Sequence, residues 1–274
     1  MDFDHVIYSD LDGTLLELET YDSSIASRKV QLLQETGIPL IFCSSKTLDE
    51  QLYYQEELGI HTPMIVENGA GVAIPVGFHP YFENLDHQRI GDHLVFAFSE
   101  GYDYVVKHIH RLRNELDIEL LGYHDLETQD ISKITGLAED ELERTTNRLF
   151  SETLLVGEFH SPNFQKLRPA LFLVDLQCTP GSKFYTVSGI SSNKGKAIKW
   201  LNNHLLNITE KHFTTLGIGD SYNDIFMFNE VDEAYLVQKP NKDWVKIDVE
   251  NLRKINKPGP YGFNEFVETR LGFS

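Results

Sequence analysis

The chain has 274 residues, 41% hydrophobic and 24% charged, enough to bury the core of one large domain or two smaller ones. Its formal net charge of -18 disfavours nonspecific binding to nucleic acid or to anionic membranes, and no Lys/Arg cluster offsets it, so neither partner is expected. Two distant cysteines, no apolar leader and no apolar run near the membrane-spanning length of about 18 residues point to a reducing cytoplasm. In chain order, "HVIYSD" predicts a short buried strand, 23–35 a helix stopped by Gly37, and "PLIFCS" a second strand. Residues 48–58 then read as a second helix and "PMIVEN" as a third strand. This β-α-β-α-β alternation argues for a Rossmann-like α/β core with a parallel sheet. After "AIPVGFHPYF" the alternation breaks. Strands such as "HLVFAF" and "RPALFLVDL" mix with helices over 102–115 and 139–150, which predicts an α+β module inserted over 84–187. The core pattern, expected over 1–83 and 188–274, resumes at "HFTTLGIGD". It continues through a helix over 223–229 and the strand "EAYLVQ", and "GPYGFNEFVETRLG" closes the chain as a helix.

Ligands of open α/β sheets bind beyond the carboxyl ends of the strands. Polar clusters stand at those ends: Asp10 and Asp12 after the first strand, Ser44, Ser45 and Lys46 after the second, Glu67 and Asn68 after the third, and Asp220 after the fourth. Lys194 opens the helix before that fourth strand. Asp10 and Asp12 are like charges one residue apart, and a turn needs only one of them. A divalent cation offsets their repulsion, with Asp220 as a third oxygen donor, and hard oxygen ligands suit Mg²⁺. His110, His124 and His160 share no metal-ligand spacing and read as surface or packing residues.

In "DLDGT", the Ser ending the second strand, the Lys of "SNKGKA" and "GDSYND", taken in that order, the chain resembles the haloacid dehalogenase superfamily of phosphohydrolases. That resemblance implies Asp10 as the nucleophile that becomes a phosphoaspartate, and Asp12 as general acid and then base. It implies Ser44 and Lys194, with Ser45 beside them, as holders of the phosphoryl group. Asp10, the Asp12 carbonyl, Asp220 and the supporting Asp224 would bind Mg²⁺. An insert between the Ser44 and Lys194 motifs is similar to the cap of the C2 type, which encloses a small phosphorylated sugar.

"FCSSKT" stands where generic capped sugar phosphatases carry Thr-Gly-Arg. With "IVENGA", "RLFSET", "VSGISSNKGKA" and "GPYGF" it resembles the mannosyl-3-phosphoglycerate phosphatases. That likeness assigns Lys46, Glu67, Asn68, Arg148, Ser151, Glu152 and Asn223 to the substrate. The expected reaction is hydrolysis of mannosyl-3-phosphoglycerate, or a related glycosyl-3-phosphoglycerate, by a monomer or homodimer. The alternative is a broader hexose- or sucrose-phosphate phosphatase. Two positions depart from the family: Thr153 replaces a Pro, and Lys183 is the one cation of "CTPGSKFYTVSG". Lysine lacks the planar fork with which Arg grips a carboxylate.

Overall fold

The computed structural model of the chain describes residues 3–155, 162–180, 184–209 and 211–273; His160 and Lys183 lie outside these. Strand β1 (His5–Ser9) leads into α1 (Ser24–Glu35), β2 (Leu40–Cys43), α2 (Leu48–Leu58) and β3 (Met64–Val66). These strands are short apolar runs because helices cover both faces of the sheet they form. Helix α2 starts on a reciprocal capping box between Thr47 and Glu50 and stops at Gly59 in the left-handed conformation.

The chain continues through β4 (Gly71–Pro75), α3 (Pro80–Glu83), β5 (Gln88–Ile90) and β6 (His93–Ala97). Here the structure corrects the expected domain boundary. "HLVFAF" pairs antiparallel with β4, so residues 88–97, expected in the insert, extend the core sheet. Leu94 and Phe96 belong to the same apolar cluster as Phe82 and Ala197, which holds this hairpin on the core.

The cap comprises α4 (Tyr102–Glu115), α5 (Thr128–Thr135), α6 (Glu139–Thr146), β7 (Ser151–Leu154), α7 (Pro162–Phe172), β8 (Leu176–Pro180) and β9 (Tyr185–Gly189). Its three strands form an antiparallel sheet in the order β7-β9-β8. "RPALFLVDL" is not one strand, and α6 ends before residue 150. Phe164, Leu167 and Leu171 recur at helical spacing and are buried with Val105, Ile109 and Leu112 of α4, so burial favours helix through Phe172. Pro169 is tolerated there on the exposed face.

The return is α8 (Lys194–Thr209), β10 (Thr214–Gly219), α9 (Ile225–Phe228), β11 (Glu233–Gln238), β12 (Arg253–Pro258) and α10 (Gly259–Leu271). The helix expected over 223–229 is thus shorter, with a 3₁₀ turn, Tyr222–Asp224, ahead of it. The core sheet runs β12-β11-β10-β1-β2-β3-β4-β6-β5, parallel from β12 to β3 and antiparallel beyond. Strand order reverses at β1, which lies between β10 and β2, and the crevice beyond its carboxyl end is where such sheets bind ligands. Among the described residues no helix is long and apolar enough to cross a membrane.

Candidate active site

The segment after β1 is a tight turn. The N–H groups of Thr14, Leu15 and Leu16 all donate to Leu11 O, and Asp10 N–H donates to Ile218 O at 2.9 Å, fixing it against β10. Gly13 has φ +74°, and a Cβ there would stand 2.4 Å from Asp220 Oδ2. Only glycine lets this turn close on Asp220.

Asp10, Asp220 and Asp224 are buried, and one carboxylate oxygen from each lies within 4.8 Å of the others. Lys194, 1% exposed at the start of α8, bridges two of them: its Nζ donates to Asp10 Oδ1 at 2.8 Å and to Asp224 Oδ1 at 2.6 Å. Asn193 caps that helix by accepting the Lys196 N–H at 2.9 Å. Asp224 Oδ2 accepts the N–H groups of Asp220 and Ser221, both at 3.0 Å, and Lys239 Nζ lies 2.6 Å from Asp220 Oδ2.

Burial first, then the Asp224 carboxylate, pushes the Asp10 carboxyl up to about 8, against the pull of Lys194. Burial likewise raises Asp220 to about 6, against Lys239. On Lys194, burial favours proton loss, but Asp10 and Asp224 outweigh it and hold the ammonium charged. Three buried carboxyls thus face two lysines, and the raised values of Asp10 and Asp220 reflect that surplus of acids over cations. A divalent cation with hard oxygen ligands fits such a set. The Asp12 side chain takes no part in it. Its Oδ1 lies 3.1 Å from Lys46 Nζ, a close ion pair without an aligned hydrogen bond.

Asp12 and Lys46 open onto a cleft between core and cap, also lined by Tyr21, Tyr54, Tyr123 and Arg148. Lys46 Nζ sits 4.6 Å from the centre of the Tyr21 ring and 5.7 Å from that of Tyr54, and 3.3 Å from Glu50 Oε1. The cap is docked over this cleft: Thr47 Oγ1 donates to Arg144 O at 2.7 Å, and Arg144 stacks on Tyr53 at 4.2 Å.

The other expected residues divide. Ser44 is buried at the end of β2, where its Oγ accepts the Lys46 N–H at 3.3 Å, and Ser45 lines the cleft. Asn223 Nδ2 approaches Asn68 Oδ1 at 3.5 Å, joining the rims of β3 and β10. Glu67 is fully buried, and its carboxylate accepts the Leu149 and Phe150 N–H groups and the Ser151 hydroxyl. Glu152 spends its oxygens inside the cap, on Tyr102 Oη at 2.6 Å and on the N–H groups of Tyr123 and Thr153. "RLFSET" is thus mostly buried and leads into β7. Sequence reasoning missed Lys239, Glu50 and the cleft tyrosines. The Lys46–Glu50 spacing of four residues was the one available signal.

Residues 7–247 match the haloacid dehalogenase-like hydrolase family. The chain belongs to that family. Over 272 residues it is 32% identical to the glucosyl-3-phosphoglycerate/mannosyl-3-phosphoglycerate phosphatase of Methanococcoides burtonii, covering 98% of this chain and 97% of that one. It is also 32% identical over 232 residues to the mannosyl-3-phosphoglycerate phosphatase of Pyrococcus horikoshii, covering 85% of this chain and 90% of the other. A crystal structure from Thermotoga maritima shares the fold, with a TM-score of 0.65 at 18% identity over 98% of each chain. This haloacid dehalogenase-like hydrolase is accordingly a phosphatase, a hydrolase of phosphoric monoesters. Hydrolases of this family generally use Mg²⁺, and this one carries the buried aspartate cluster described above.

Proposed function

We propose that the protein is a Mg²⁺-dependent phosphatase that hydrolyses a glycosyl-3-phosphoglycerate, with mannosyl-3-phosphoglycerate as first candidate, through a phosphoaspartate on Asp10. The observation that carries the reading is the buried Asp10–Lys194–Asp224 bridge beside Asp220. That arrangement supports the reading, since it sets one buried carboxylate against an ammonium and beside two further aspartates that could hold a cation. Asp10, the Asp12 carbonyl, Asp220 and Asp224 would hold Mg²⁺, which when bound neutralises the pocket and polarises a phosphoryl oxygen.

Asp10 attacks phosphorus, and its ordinary carboxylate basicity suffices once the excess negative charge is relieved. Lys194 and Ser44 hold the phosphoryl oxygens, with Ser45 at the same loop. Asp12 protonates the leaving glycerate oxygen, then takes a proton from the water that cleaves the phosphoaspartate. Lys46 lines the cleft and Asn68 and Asn223 meet at the strand rims; these three would contact the leaving group, and the cleft tyrosines would offer flat apolar faces to a sugar ring. The docked cap excludes bulk water during transfer.

Purified protein with Mg²⁺ should release phosphate from mannosyl- and glucosyl-3-phosphoglycerate at least about tenfold more efficiently, in kcat/KM, than from hexose or sucrose phosphates. Equal or better turnover of the simple sugar phosphates would favour the broader phosphatase.

A further inference from the structure

Three consecutive carbonyls of the 44–46 loop are each held by a donor from outside it. Asn68 N–H donates to Ser44 O at 2.8 Å and Glu67 N–H to Lys46 O at 3.1 Å. Between them, Arg148 Nη2 donates to Ser45 O at 3.1 Å. The outer donors come from the core, and the middle one comes from the cap segment ahead of β7.

Arg148 is in turn fixed by the residue that supplies one of those outer donors. Its Nε donates to Ser151 Oγ at 3.0 Å, and Ser151 Oγ donates to Glu67 Oε2 at 2.5 Å. Glu67 also accepts Leu149 N–H at 2.7 Å and Phe150 N–H at 3.1 Å. One carboxylate from the core thus takes three donors from the cap, while its own backbone grips the loop. The turn that presents it is unusual. Glu67 and Asn68 both have left-handed backbones, φ 49° and 60°, which non-glycine residues adopt at a cost and which the surrounding bonds must hold. Glu67 is fully buried and Arg148 is 8% exposed, so the relay is shielded from solvent.

We propose that Glu67 and Arg148 are positioning residues: through Ser151 they transmit cap docking to the 44–46 loop, so that the phosphoryl-holding geometry is complete only when the cap is seated. This rests on the assignment of Ser44 to the phosphoryl group. Binding energy gained by the cap on the sugar then appears in turnover rather than only in affinity. The competing role for Arg148, a direct ligand of the glycerate or sugar, gives the opposite kinetic signature.

The test compares Arg148→Lys, Ser151→Ala and Glu67→Gln with wild type, reading kcat and KM on mannosyl-3-phosphoglycerate and inhibition by orthovanadate. Vanadate mimics the transferring phosphoryl group and has no sugar for Arg148 to touch. The relay predicts a kcat about 10- to 100-fold lower, a vanadate inhibition constant raised by a similar factor, and KM within about threefold of wild type. The Arg148→Lys/Ser151→Ala double variant should be no worse than the poorer single one, since both cut the same relay. If Arg148→Lys instead raises KM while kcat and vanadate inhibition stay at wild type, Arg148 is a substrate ligand and the relay is wrong; additive losses in the double variant overturn it equally. Should Glu67→Gln fail to fold, Ser151→Ala breaks the same link without leaving an amide on the buried carboxylate's partners. If wild type ignores the glycosyl compound, the substrate reading fails separately. The vanadate comparison, with p-nitrophenyl phosphate as reporter, still decides this proposal.

Discussion

Lys239 Nζ lies 2.6 Å from Asp220 Oδ2, so the carboxylate at the end of β10 already carries a cation of its own. Asp220 is 2% exposed, while a quarter of the Lys239 side chain reaches solvent. A metal arriving at Asp220 must compete with that ammonium for the same oxygen. Lys239→Met should cost the metal-free protein about 2 kcal/mol, because it leaves a buried carboxylate short of a partner. The same change should enlarge the rise in melting temperature on adding Mg²⁺, since a ligand of the folded state stabilises more, logarithmically, the tighter it binds. Thermal melts with and without Mg²⁺ check both, and equal Mg²⁺-induced shifts in variant and wild type would refute the competition.

Asp10 and Asp12 face different partners, Lys194 and Lys46, and their variants should fail differently. On the proposed covalent route, Asp10→Asn should lower kcat at least about 10³-fold, because the attacking carboxylate is lost. On the same route Asp12→Asn would keep the nucleophile and leave the water without its base. With an aryl phosphate, whose leaving group needs no proton, this variant should accumulate a phosphorylated chain visible by intact-mass spectrometry. Phosphate that never appears on Asp12→Asn, or near-normal turnover by Asp10→Asn, counts against the covalent route.

The core and its acidic pocket were legible in the sequence because a parallel sheet brings the ends of successive apolar runs to one rim. Asp10, Ser44 and Asp220 therefore follow from where β1, β2 and β10 stop. What was not legible depends on pairing between distant segments. "HLVFAF" is the same apolar run whether it edges a cap sheet or the core. Its partner β4 runs into the Pro/Gly-bearing stretch where the alternation breaks. "RPALFLVDL" reads as a short apolar run, yet Leu167 and Leu171 are claimed by the apolar face of α4. Glu67 looked free to meet a substrate. Its carboxylate is instead taken by N–H groups more than eighty positions downstream, which no local pattern announces. Lys239 reaches Asp220 only because β11 lies beside β10.

Gly69 joins the relay turn to the start of α8. Its φ is +86°, and an added Cβ would stand 2.3 Å from the Asn193 carbonyl oxygen, one residue before Lys194. Gly69→Ala must push back either the turn or the helix start, so it should cost about 2–4 kcal/mol and lower kcat about tenfold or more. Gly59→Ala is the control. Its φ of +67° is also left-handed, but nothing stands within 4 Å of the added methyl. It should cost about 1–2 kcal/mol and leave turnover unchanged. Urea melts and initial rates on both proteins test the contrast, and equal losses of activity would show that contact with Asn193 is not the cause.

Glu233, at the start of β11, ties the far edge of the core sheet to the last helix. Arg270 grips it in a fork, Nε to Oε2 at 2.9 Å and Nη2 to Oε1 at 2.7 Å, and Tyr235 Oη donates to it at 2.6 Å with Arg253 alongside. Hydrogen bonding from Arg270 above all draws its carboxyl down to about 2, below the ordinary 4.5. A carboxyl lowered in the folded state stabilises above its unfolded value, and that contribution fades as pH falls from about 4.5 towards 2. Half of the Arg253 side chain is open to water, which screens part of the interaction, so the contribution at neutral pH is about 1–2 kcal/mol. Glu233→Gln should lose that amount at pH 7 and close most of the gap to wild type by about pH 3, because other carboxyls titrate alike in both proteins. Urea unfolding at the two pH values measures it. A gap that stays constant with pH would mean that shape, not charge, is what Arg270 recognises.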